Sequence, residues 1–290
     1  MVTIKNMIDD NMKNVALPAV VMQVVSMLTA DDVDCKKLSE VIKNDQVLTM
    51  AVMRRANSVI YSGRHNEFNL EQSIVRLGTT NIMHLILEYK LMDAMCTRNE
   101  AFGLDRMSVW RSAVGGAVTA SRIAKAHAPD MADVCYICAL LRDIGKTLLD
   151  LQYGSRYMCN TESDRCLLAY PQSEVDAYGY DHAMVGCSIA EFWKLPDIVC
   201  KSIIYHHNPP ASPPEHNIVF DIVHAADVIT LWSGVAIGHD GMQYSIADHV
   251  VGELKLSRTY IENTIGDIVC ELQNIEQTLE PLPEEAVNDM

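Results

Sequence analysis

Apolar residues return at every third or fourth position along most of this chain, and the strict alternation that builds a half-buried strand is scarce. That pattern predicts packing of helix on helix. Leu17-Pro18 opens the first such run, with the proline in a first turn and Val21, Val24, Val25 and Leu28 at helical spacing. Asp34 offers an N-cap to a short helix carrying Leu38, Val41 and Ile42, and Asp45 does the same for Val47, Leu48, Val52 and Met53. Leu70, Ile74 and Leu77 mark another short helix that Gly78 can end as a left-handed cap. Thr80-Asn81 restart the pattern through Ile82, Leu85, Ile86 and Met92.

The polar stretch from Cys96 to Asp105, with Gly103, is the best candidate boundary. Longer helices follow it: Met107 to Ala126, Asp133 to Leu151, Glu174 to Trp193, Ile198 to His206, Asn217 to Trp232 and Leu256 to Leu279. The expected organisation is an N-terminal helical part over residues 1–100, a second helical part over 101–252, a C-terminal helix over 253–280 and an acidic tail over 281–290. Pro209-Pro210 and Pro213-Pro214 bracket a loop that cannot be helical, because proline lacks the amide hydrogen and restricts the residue before it.

With 49% hydrophobic residues in 290, the chain can bury a large core, and its 16 methionines suit irregular gaps between helices. A net charge of -15 argues against nucleic acid, whose affinity rests on Lys and Arg releasing counterions. No run approaches the roughly 18 apolar residues of a membrane span, so no membrane partner is expected and a cytoplasmic location is. The nine cysteines fit reduced thiols. Cys135 and Cys138, the only C-x-x-C, lie in an apolar run without a second pair, which favours core packing over a zinc or redox site.

The second half carries Arg111, Arg142, Asp143, His182, His206, His207 and Asp227. Histidines and carboxylates on facing helices are how a bundle builds a metal site for phosphoester hydrolysis. Singly, each has a plainer reading. His182 alone on an amphipathic helix is more often a satisfied, partly buried histidine. His206 and His207 point roughly 100° apart on a helix, so at most one faces a given site unless the helix frays there. Asp227, in the apolar run Val223-His224-Ala225-Ala226-Asp227, needs a partner.

In Leu140 to Lys146, Tyr180 to Gly186, Trp193 to Pro196, Ile203 to His207 and His224 to Asp227, the chain resembles the HD superfamily of metal-dependent phosphohydrolases. The first half narrows the resemblance to the HDOD subfamily: Leu17-Pro18, Val41 to Leu48, Arg54 to Ser58 and Ser73 to Gly78 fall in that family's order. The resemblance spans about residues 14 to 240. It implies an all-α fold, an HD/HDOD-like multi-helix orthogonal bundle in two subregions, and a bacterial signalling role, often without detectable catalysis.

Two departures matter. Arg111 stands where the superfamily places its first histidine ligand, and Arg142 replaces the histidine of the His-Asp doublet. A guanidinium has five donors and no lone pair for a metal. Two of them would repel a divalent cation by several kcal/mol even at an effective dielectric of about 20. They could instead pair with Asp143 and Asp227 as bidentate contacts. The expectation is a degenerate pocket without metal or catalysis, in a protein that works through signalling partners. Three alternatives stand beside it. Asp143, His182, His206 and Asp227 could hold one iron, manganese or zinc ion in a working phosphohydrolase, with Asp143 essential. Arg111, Arg142 and Lys146 could hold the phosphates of a nucleotide. The last helix, with Ile261, Ile265, Ile268, Val269 and Leu272, could form a homodimer contact, although packing within the chain is favoured.

Overall fold

The computed structural model describes residues 3–11, 18–30, 35–57, 70–94, 100–154, 171–238, 242 and 244–279. Among them there are helices and connecting turns, and no strand. The expected features at Leu17, Asp34, Cys96 to Asn99 and the tail from residue 281 lie outside the described residues.

The first half comprises α1 (Ile4–Asp10), α2 (Ala19–Ala30), α3 (Cys35–Lys43), α4 (Gln46–Ala56), α5 (Leu70–Leu77) and α6 (Thr79–Ala94). Asp45 caps α4 as its sequence suggests, accepting from the amides of Val47 and Leu48 at 3.0 Å each. Gly78 ends α5 with φ at 77°, its amide donating to the Ile74 carbonyl at 2.9 Å.

The second half opens on the long α7 (Arg106–His127), capped by Asp105, and continues through α8 (Ala132–Leu141), α9 (Ile144–Tyr153), α10 (Gln172–Tyr178), α11 (His182–Phe192), α12 (Asp197–Tyr205) and α13 (Ile218–Trp232). A short α14 (Asp248–Glu253) precedes α15 (Arg258–Leu279). Two expected helices are each divided in two. Asp133 to Leu151 breaks at Arg142 and Asp143, which form the turn between α8 and α9. Glu174 to Trp193 breaks at Gly179, left-handed at φ 82°, after which Asp181 caps α11. Both breaks turn site residues inward.

α7 packs against α8 and α13 to form the centre of the molecule, α9 crosses α11, and α2 lies on α6 and α8. One apolar cluster runs through both halves, from Met7 in α1 through Trp110, Ile137 and Val223 to Ile275 in α15. The C-terminal helix packs within the chain, against α4, α7 and α13, burying Ile268 and Leu272. Cys135 and Cys138 are buried in the core on α8, where desolvation pushes both thiols up, Cys138 to about 12. No described helix is long and apolar enough to cross a membrane.

Candidate metal and ion-pair centre

Arg142 is completely buried, and its guanidinium is tied on several sides. Nε donates to Asp227 Oδ1 on α13 at 2.6 Å, and Nη1 donates to the carbonyls of Ala139 at 2.9 Å and Ser112 at 3.1 Å. Nη2 donates to Ser112 Oγ at 2.9 Å and lies 3.4 Å from Asp143 Oδ2. Burial works against the charge, but Asp227 and Asp143 outweigh it and hold the guanidinium more firmly protonated than usual. The space it fills is made by Gly116: a Cβ there would come within 2.3 Å of Nη1.

Beside this pair, three imidazoles converge. His182 is the first residue of α11, so its backbone amide lacks a helical acceptor and donates to Glu174 Oε2 at 2.7 Å. The same oxygen takes His182 Nδ1 at 2.7 Å, which leaves Nε2 directed at His207 Nε2, 2.9 Å away. Burial disfavours the His182 imidazolium, yet the Glu174 carboxylate raises its pKa above the ordinary value. His206 Nδ1 donates to the Ile203 carbonyl at 2.6 Å, so its Nε2 is a bare acceptor; that atom is buried without a hydrogen-bond partner. Burial lowers His206 to about 4 and, with the neighbouring histidines, holds His207 well below its usual value.

Potential ligand atoms of His182, His206 and His207 lie within 4.8 Å of one another. Asp143 Oδ1 approaches His182 Nε2 at 3.6 Å and His206 Nε2 at 3.8 Å. Burial pushes the Asp143 carboxyl up, but Lys146, whose Nζ is 2.9 Å from Oδ1, and Arg142 hold it well below the carboxylate range. Asp143 is one-fifth exposed, so the cluster meets solvent at its edge rather than being sealed.

Asp143, His182, His206 and His207 thus share one site, and Arg142 with Asp227 borders it. Arg111 does not join them. Its guanidinium forms a two-pronged contact with Glu276 on α15, at 2.6 and 3.1 Å, instead of pairing with Asp143 or Asp227. The cause is helical register: Ser112, one residue on, shares a face with Gly116 and meets Arg142, while Arg111 is turned roughly 100° away. Arg111 is thus drawn to Glu276, away from Arg142 and Lys146, which both approach Asp143. The Arg142 contact to Asp227 is single-pronged, through Nε.

Both histidines of the pair face the site just beyond the end of α12 at Tyr205, and their ring centroids are 3.9 Å apart. Asp227 belongs to the arginine, and its Oδ2 is 4.0 Å from His207 Nδ1, so His207 takes the fourth place in the candidate ligand set. Ser112 and Glu174 went unread in the sequence. The Ser112-x-x-x-Gly116 spacing, which clears one face of α7, was the available signal for the first.

The HDOD domain family matches residues 15–209, two-thirds of the chain and most of the elements that build this centre. The chain belongs to the HDOD family. An uncharacterized protein of Treponema pallidum (strain Nichols) is 24% identical over 218 residues, 73% of this chain and 41% of its own length. The chain thus spans about two-fifths of that curated relative. Three solved structures share the HDOD fold. An HDOD domain protein with unknown function from Geobacter sulfurreducens superposes with a TM-score of 0.71 at 20% identity, covering 96% of this chain and 97% of that one. A candidate signal transduction protein of Marinobacter aquaeolei VT8 gives 0.68 at 20% identity, over 91% and 58%. A candidate phosphohydrolase of Shewanella amazonensis SB2B gives 0.67 at 19% identity, over 94% and 98%.

Proposed function

We propose that this HDOD protein is a regulatory signalling component that acts through protein partners and does not hydrolyse phosphoesters. The observation that carries the reading is the buried guanidinium of Arg142, hydrogen-bonded to Asp227, Ser112 and Ala139 in the place where an HD enzyme would have a metal-binding histidine. A positive charge built into the chain compensates the buried Asp227, and that carboxylate is withdrawn from any metal.

A second reading is favoured by the orphaned Nε2 of His206. A buried lone pair with no donor, beside two further imidazoles and Asp143, fits a divalent ion. His182, His206, His207 and Asp143 would hold it, with Glu174 and the Ile203 carbonyl fixing the ring tautomers. Such an ion would supply a Lewis acid and an acidified water.

Assaying the purified chain on bis(p-nitrophenyl) phosphate with added manganese, iron or zinc separates the two. The expected result is turnover no higher than the blank. Metal-dependent turnover that disappears in Asp143→Ala would establish the second reading instead.

A further inference from the structure

Away from the histidine centre, a cavity of about 290 Å³ opens where α4 and α6 of the first half meet α7, α8 and α15. Its walls are charged. Arg122 and Lys125 lie three residues apart on one face of α7, and Arg55 contributes from α4. Of the two carboxylates present, Glu88 is engaged: it accepts from Tyr136 Oη at 3.0 Å and from Arg55 Nη2 at 2.8 Å. The other, Glu271 on α15, is disfavoured as an anion by its burial, which raises its pKa. Three fixed cations and two carboxylates line this cavity in a chain of net charge -15. Asp267, outside the lining, pairs with Arg122, so three carboxylates meet the three cations; that pair is exposed and competes only weakly for the guanidinium.

We propose that this junction is a ligand site for a small phosphorylated molecule, its phosphate held between Arg122 and Lys125. A phosphate monoester fits these donors because its three outer oxygens accept from a guanidinium fork and an ammonium together. The remainder of the molecule lies along Asn81, His84 and Ser121, which line the same cavity. His84 is held there by face-to-face stacking on Tyr136, with ring centroids 3.6 Å apart. A ligand so placed touches helices of both halves and the C-terminal helix, so binding favours the arrangement in which the three meet. The site shares no residue with the histidine centre, and it stands or falls independently of whether that centre is catalytic.

Calorimetric titration of the full chain with adenosine monophosphate, inorganic phosphate and adenosine tests this. The expected result is saturable binding of the monophosphate at one site, weaker binding of inorganic phosphate, and the weakest for adenosine. Arg122→Gln with Lys125→Gln should weaken the monophosphate at least tenfold, Glu271→Gln should tighten it several-fold, and Lys146→Gln at the histidine centre should leave it unchanged. No saturable heat at millimolar monophosphate would overturn the proposal. So would binding that survives the double substitution, fails to tighten in Glu271→Gln, or is lost in Lys146→Gln.

Discussion

At the scale of single residues, the chemistry of the pocket turns on Arg142 and Asp227, a pair in which each partner makes the other's burial tolerable. Removing one leaves a buried charge uncompensated, which costs about 3–5 kcal/mol. Arg142→Met is therefore expected to destabilise the chain by that amount in urea denaturation, and Asp227→Leu comparably. The double substitution should recover much of the loss, because two apolar side chains of similar volume need no partner. Additive losses in the double variant would mean that the two residues are not coupled. Asp227 announced its need for a partner by standing in an apolar helix, and Arg142 announced its charge. Their meeting was legible on those grounds. That Ser112 rather than Arg111 completes the arrangement was not, because one residue of helical register separates them and only the packing of α7 decides it.

At the scale of elements, the site depends on how closely α9 and α11 cross. Gly145 and Gly186 face each other there: a Cβ on Gly145 would fall 1.9 Å from the His182 carbonyl oxygen and 2.7 Å from the Gly186 amide. Backbone cannot yield as a side-chain end can. Gly145→Ala should cost on the order of 3 kcal/mol and displace His182 from the cluster. Gly266→Ala on the exposed face of α15 meets nothing within 4 Å and should stabilise by about 0.5–1 kcal/mol. Paired thermal melts check both, and equal effects would remove the special role given to the crossing. Helix starts with a capping side chain, such as Asp45 and Asn217, and the stop at Gly78 were readable from local chemistry. The break at Arg142-Asp143 was not, since the apolar spacing of Ile137, Leu141, Ile144 and Leu148 continues across it. The end of α12 was readable to within one residue from the prolines that follow His207, but the convergence of His206 and His207 on one site was not.

At the scale of the whole molecule, a single core joins the two halves, and its charged junction leaves a mark on stability. Glu271 has a raised pKa in the folded chain, so its contribution to stability is full below the ordinary carboxylate value and is lost as pH rises through the folded value. Glu271→Gln carries no such loss. It should melt higher than the wild type at neutral pH, with the difference closing as pH falls below about 4.3. A gap that persists unchanged under acid conditions would assign the effect to something other than that carboxylate. The all-helical class and the family were readable because they rest on periodicity and on motif order spread over many residues. The junction was not, because its charges come from four helices distant in sequence.

Whether a guanidinium replaces a cation at the heart of the pocket is tested most directly by melting the wild type and Arg142→His with and without manganese. Histidine at that position restores a lone pair and releases Asp227, so a ligand bound only by the folded state should raise the melting temperature of Arg142→His by several degrees while the wild type moves far less. A manganese-induced rise in the wild type as large as that in Arg142→His would contradict the account.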